Sequence, residues 1–142
     1  LRDTLVELAS QLGVKDQVIL CGNRDQEWLA RVIPLAAVVV SPFMGRALTE
    51  SALGAAPIVA YDVDWQSELI QSGVTGELVP YLDWEKMADS VEHFLVNPEY
   101  ASSMGEAVRK RALEMMDPAI LDQHERDTYH KLINGADSPS IE

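Results

Sequence analysis

Gly45, Arg46 and Glu50 fall within six residues of one another, directly after a β-branched run, and that spacing can build an anion site. Ala37 to Ser41 (AVVVS) reads as a strand buried on both faces of a parallel sheet, stopped by Pro42. Gly45 permits a tight turn, and the helix formers of Ala47 to Leu53 predict a helix over 46–53 that ends by Gly54. The first N–H groups of such a helix have no intrahelical acceptor and attract phosphate, and open α/β sheets bind ligands at the carboxyl ends of their strands. Arg46 is the wrong charge for a helix's first turn. Two readings of it stay open. It pairs with Glu50 at i,i+4 for about 0.3 kcal/mol, or it faces a bound diphosphate with the Gly45 backbone while Glu50 accepts hydrogen bonds from ribose hydroxyls.

The surrounding pattern supplies elements to position these residues. Apolar and helical stretches alternate, giving helix 1–12, strand 17–21, helix 26–33, strand 37–41, helix 46–53, strand 57–61, helix 66–72 and a short strand 77–79. Helices 84–96, 99–116 and 118–133 follow. Leu1, Leu5, Leu8 and Leu12 share one face of the first helix, with Gly13 as its stop. Asp83, Asn97-Pro98 and Asp117-Pro118 mark the starts of the last three helices. This predicts an α/β fold, a Rossmann-like parallel sheet with helices on both faces and a helical C-terminal tail. One domain over 1–133 is expected, followed by a flexible tail, 134–142.

Composition narrows the partners. The chain has 142 residues and a net charge of −12. Residues 1–57 hold five Lys/Arg against six Asp/Glu, whereas residues 58–142 hold six against seventeen. The acidic second half disfavours nucleic acid and anionic membranes, while a local phosphate site survives because helix ends act at short range. Cys21, the one cysteine, is expected to be reduced and buried, with no disulfide framework and no zinc pattern. Neither an apolar run of about 18 residues nor a signal peptide is visible, so the cytoplasm is the expected location.

A wider set of residues resembles a known family. Gly45, Leu48, Glu50, the GAAPIVA run at 54–60, Glu68 and TGELVP at 75–80 are similar to the nucleotide-sugar half of GT-B glycosyltransferases, in particular the retaining family 4, also called glycosyl transferases group 1. Val18 to Gly22 (VILCG) is similar to the family strand that ends in glycine before a base-binding loop. NPE at 97–99 and MGEAVRKRA at 104–112 fit its tail. Nearly the whole chain is covered. The family's first glutamate, eight positions before Glu50, is replaced by Pro42, and that glutamate usually contacts the transferred sugar.

The resemblance implies the C-terminal half of a GT-B fold, with the basic residues that grip diphosphate and the acceptor-binding N-terminal domain lying before Leu1. It implies a donor site at Gly22, Arg24, Gly45, Arg46, Ala47, Leu48, Glu50 and Glu68. Ribose would fall to Glu50, phosphate to the backbone of Gly45 to Leu48, and base or phosphate to Arg24. The expected function is donor binding in transfer of a hexosyl group from an NDP-sugar, with no metal or cofactor, and the 142-residue chain alone inactive. Alternatives are a GT-B-fold NDP-sugar epimerase and a non-catalytic flavodoxin-like interaction module. In the family the last helix braces the N-terminal domain, so Tyr129, Leu132 and Ile133 are expected to be exposed.

Other features have plainer readings. Asp62-Val63-Asp64 spells the D-x-D of metal-dependent GT-A enzymes but follows a strand of a GT-B-like half, so Asp64 is expected to cap the next helix. Glu68 suits a first helical turn whatever its function, and Arg24 fits an ordinary surface arginine equally well. Gly73 and Gly76 read as a helix stop and a turn. His93, His124 and His130 share no metal spacing and read as surface histidines. The nucleophile elbow G-x-S-x-G and the fingerprint G-x-G-x-x-G are both missing, which argues against hydrolase and dinucleotide-oxidoreductase chemistry.

Overall fold

The computed structural model of the chain describes residues 1–42 and 45–133. At its centre is β2 (Ile58–Tyr61), all four residues of which are buried. It runs parallel to β1 (Val39–Ser41) on one side and to β3 (Glu77–Val79) on the other, in the order β1-β2-β3. The register pairs Val40 with Val59, and Ala60 with Leu78. Parallel neighbours need crossovers, and α3 (Arg46–Leu53) and α4 (Gln66–Leu69) supply them.

Because side chains alternate along a strand, β2 feeds two apolar layers. Ile58 and Ala60 join Leu48 and Ala52 of α3, Leu69 and Ile70 around α4, and Val108 and Ala112. Val59 and Tyr61 join Val79, Met87, Phe94, Ala101 and Met104 on the other face. The last four of these, with Val108 and Ala112, come from α5 (Trp84–Val96) and α6 (Pro98–Met115), so α6 contributes to both layers. The expected α/β sheet with helices on both faces is therefore present.

Gly105 is what lets α6 come so close. A Cβ there would overlap the Ala55 carbonyl oxygen and lie 3.0 Å from its carbon. Nearby, Thr75 ties the loop after α4: its buried Oγ1 donates to Leu69 O at 2.9 Å and accepts from Gln71 N–H at 2.7 Å. Tyr100 donates to Glu77 Oε1 at 3.1 Å, linking α6 to β3, and burial followed by that carboxylate pushes its phenol above the ordinary value.

Helix starts follow their sequence signals in part. Asp83 Oδ1 accepts from Lys86 N–H at 3.0 Å and caps α5, and Asp117 Oδ1 accepts from Ala119 N–H at 2.8 Å at the start of α7 (Pro118–Ile133). The Asp83 carboxyl is held below its ordinary 3.8, first by that backbone bond and then by the Lys86 side chain against an opposing desolvation. A group lowered on folding stabilises above its unfolded pKa and loses that effect as pH falls through the folded one. Asp83→Ala should therefore lower the thermal midpoint at pH 7, with the difference from the parent chain closing as the midpoint is followed down towards pH 3. Asn97 does not cap with its side chain, which instead donates back to His93 O at 2.9 Å, but Pro98 does open α6.

Several expectations are corrected. The strand at 17–21 does not form: Lys15–Gln17 is a single 3-10 turn and residues 18–21 carry no regular structure. Ile19 is 83% exposed, and no neighbouring strand lies beside this segment among the described residues to satisfy its ladder bonds. Cys21 is consequently exposed, not buried. The helix at 66–72 ends at Leu69, because Thr75 and its turn capture the backbone from Gln71 onward; Gly73 thus lies in a turn and not at a helix stop. Asp64 is no cap: α4 starts from Trp65 without a side-chain cap bond, and Asp64 itself sits at φ 52°.

At the termini of the described region, the leucine face of α1 (Arg2–Gln11) remains open, with Leu5, Leu8 and Leu12 all exposed. Tyr129, Leu132 and Ile133 of α7 are exposed as expected, and so are His93, His124 and His130. The tail expected over 134–142 lies outside the described residues.

Candidate functional site

The carboxyl end of β1 leads to the site. Ser41 closes the strand in a buried position, Pro42 is half-buried, and Gly45 stands as the residue before α3 at φ 126° and ψ −164°. That backbone conformation is one L side chains rarely adopt, which accounts for glycine at this point. Leu48 N–H donates to Gly45 O at 3.1 Å, and its side chain is fully buried in the core. The first-turn donors that α3 itself does not use are therefore those of Arg46 and Ala47. Of the turn expected to meet phosphate, Leu48 serves the cap and the core.

Glu50 is half-buried and carries two partners on one oxygen. Gln26 Nε2 donates to Oε1 at 3.0 Å, and Arg46 Nε lies 3.4 Å from the same Oε1. The i,i+4 pairing of Arg46 and Glu50 is thus formed, with the Arg46 side chain 78% exposed. Gln26 is the first residue of α2 (Gln26–Val32), whose start is fixed by Asp25 Oδ1 accepting from Trp28 N–H at 2.8 Å. No periodicity links residues 26 and 50, so sequence reasoning missed Gln26. The one available signal was the predicted start of a helix at 26, directly after the loop that carries Gly22 and Arg24.

Between α2, α3 and α6 lies a cleft of about 430 Å³, lined by Gln26, Leu29, Ile33, Glu50, Leu53 and Arg109 among others. Its volume falls within the range usual for small-molecule sites, roughly 300–1,000 Å³. The walls are mainly aliphatic, and the Gln26–Glu50 bond joins two of its sides. Nothing in the sequence reading had singled out Arg109.

The remaining predicted site residues are placed as follows. Gly22 turns the chain at φ 70°, and Arg24 stacks its guanidinium 5.3 Å from the Trp28 ring centroid. That cation–π contact belongs to the plain surface reading and also holds Arg24 on the loop before α2. Glu68 is exposed on α4, and its carbonyl oxygen accepts from Arg111 Nε at 2.6 Å. Gly45, Arg46, Ala47 and Glu50 thus share one helix end, and Gln26 brings the Arg24 loop to it. Among the described residues no group of three His, Cys, Asp or Glu could hold a metal ion, so Asp62 and Asp64 have no further ligand beside them.

Residues 1–111 match the sequence profile described as glycosyl transferases group 1. The chain belongs to that family. It is 34% identical over 109 residues to alpha-D-kanosaminyltransferase of Streptomyces kanamyceticus, covering 74% of this chain and 28% of that protein. It is also 28% identical over 132 residues to N-acetyl-alpha-D-glucosaminyl L-malate synthase of Bacillus anthracis, covering 91% of this chain and 35% of that one. Among solved structures, sucrose-phosphate synthase from Thermosynechococcus elongatus superposes with a TM-score of 0.79 at 24% identity, over 95% of this chain and 35% of its own. Anabaena Alr3699/HepE in complex with UDP-glucose does so with a TM-score of 0.76 at 19% identity, over 91% and 36%. The fold is accordingly part of a GT-B glycosyltransferase, and the chain spans about a third or less of these proteins' length. No described helix is long and apolar enough to cross a membrane.

Proposed function

We propose that this chain is the donor-binding part of a hexosyltransferase that uses an NDP-sugar, with the acceptor held by portions of the enzyme outside these 142 residues. The observation that carries the reading is the placement of Glu50. Its half-buried carboxylate stands one turn into α3, paired with the Arg46 side chain and on the wall of the cleft between α2, α3 and α6. A nucleoside diphosphate has matching parts: ribose hydroxyls for the carboxylate and a diphosphate for the helix end and Arg46. As the glycosidic bond to the diphosphate breaks, negative charge grows on the leaving oxygen. Fixed helix-end donors and a cation stabilise it there without a metal.

Family membership and the UDP-glucose complex of the Anabaena relative support a nucleotide-sugar donor. Pro42 stands where the family's sugar-contacting glutamate would be, so on this reading sugar selectivity rests on other residues. The chain by itself is expected not to transfer sugar. Calorimetric titration with UDP, GDP and ADP tests the donor reading. Saturable binding of one of the three supports it and names the base. Absence of binding to all three leaves either a donor site completed by other portions of the enzyme or a non-catalytic interaction module, and the same titration of a longer chain decides between them.

A further inference from the structure

We propose that Gln26 is a positioning residue for sugar-ring recognition: it fixes the Glu50 carboxylate so that Oε2 faces the ligand. This rests on the donor-site reading above. The inference comes from how the carboxylate is occupied. Gln26 Nε2 and Arg46 Nε both engage Oε1, at 3.0 and 3.4 Å, and among the described residues no donor engages Oε2. A carboxylate has about four lone-pair sites on two oxygens. A hydrogen bond from Gln26 and an ion pair with Arg46 that both fall on one oxygen leave the other with its full accepting capacity for ligand hydroxyls.

The two holders differ in kind. Arg46 is highly exposed, sits on the same helix as Glu50, and makes the sort of i,i+4 pair that contributes a few tenths of a kcal/mol. It is also the cation nearest the helix end in sequence, so an incoming diphosphate competes with Glu50 for it. Gln26 carries no charge for phosphate to attract. It reaches Glu50 from another helix, 24 residues away in sequence, and lines the same cleft. When Arg46 turns to a diphosphate, Gln26 alone keeps Oε1 in place. Its position on the first turn of α2, immediately after the Arg24 loop, also couples the order of that loop to the orientation of the carboxylate.

The test compares UDP with 2′,3′-dideoxy-UDP on the 142-residue chain, its Gln26→Ala and Gln26→Glu variants, and a Glu50→Gln variant. The ratio of the two dissociation constants reads the hydroxyl contacts alone, because both probes carry the same base and diphosphate. The parent chain is expected to prefer UDP by about tenfold or more, the scale of hydrogen bonds to a charged group. Gln26→Ala should lower that preference at least threefold, and Gln26→Glu should abolish it by setting a second carboxylate against Glu50. Dideoxy-UDP should bind parent and Gln26→Ala alike. A thermal scan accompanies each variant: if Gln26→Ala lowers the midpoint but keeps the preference, Gln26 is only a tie between α2 and α3 and the proposal fails. If Glu50→Gln loses the preference while Gln26→Ala retains it, the positioning role falls and the donor site stands. If the parent chain binds UDP and dideoxy-UDP equally, the donor-site reading for Glu50 falls and this proposal goes with it. If it binds neither, the same comparison is made with GDP and ADP and their dideoxy forms, and failure to bind any of them overturns the proposal.

Discussion

Gly105→Val should destabilise the chain by about 3 kcal/mol, the upper end of what forcing extra atoms into a packed core costs. Gly105 is buried in α6 where that helix meets the loop after α3, and a Cβ would overlap the Ala55 carbonyl oxygen. The obstacle is backbone and not a flexible side-chain tip, so neither partner can rotate away. Ala55 is also held at φ 56°, a left-handed conformation that an alanine adopts at some cost, which leaves the loop little freedom to retreat. Relief would have to come from moving α6 as a whole, and α6 contributes to the apolar layers on both faces of β2. A loss of that size lowers the thermal midpoint by about 10 °C for a chain of this length. Ser102→Val, exposed on the same helix, carries the same β-branched propensity cost without the collision and should shift the midpoint by only a degree or two. If the two variants unfold together, the close approach of α6 to Ala55 is not what limits this site.

Gly105 also marks a boundary of what a single sequence discloses. In the run MGEAVRKRA a glycine reads as a helix position weakened by about 1 kcal/mol relative to alanine. Nothing in its neighbours says that a carbonyl from residue 55 occupies the space of its missing Cβ. The elements that were legible had short-range causes. The apolar run at 57–61 became β2, the start of α3 at Arg46 and its end before Gly54 followed from local residue types, and the Asp83 cap followed from a side chain three residues from its donor. Elements that depend on distant partners were misread. Val18 to Cys21 has the composition of a strand, yet a strand exists only beside another, and no described neighbour pairs with it. Helix α4 stopped short because Thr75, a residue with no helix-breaking signature, takes both Leu69 O and Gln71 N–H. The site divides the same way. Gly45, Arg46 and Glu50 share one local frame and were visible together, whereas Gln26 and Arg109 reach the cleft from other helices.

Glu50→Ala should weaken binding of the accepted nucleoside diphosphate by about 10- to 100-fold, measured by calorimetry, while leaving the fold intact. The size follows from the hydrogen bonds that the variant cannot make: one or two from ribose hydroxyls to a carboxylate, each stronger than a neutral hydrogen bond, at about 1.4 kcal/mol per tenfold. The fold should survive because Glu50 is not a core residue. Its partners are an exposed arginine and an exposed glutamine, both able to turn to water once the carboxylate is gone. The loss of charge has a second consequence that separates two roles for Arg46. In the parent chain Glu50 neutralises part of the Arg46 charge, so removing it frees Arg46 for phosphate. If Arg46 contacts diphosphate, inorganic pyrophosphate should bind the Glu50→Ala variant more tightly than the parent, even as the nucleotide binds less well. If Arg46 is a surface arginine paired only with Glu50, pyrophosphate binding should be the same in both chains. Equal binding of the nucleotide by parent and variant would remove the ribose role from Glu50 altogether. That outcome would move the donor site away from the second turn of α3.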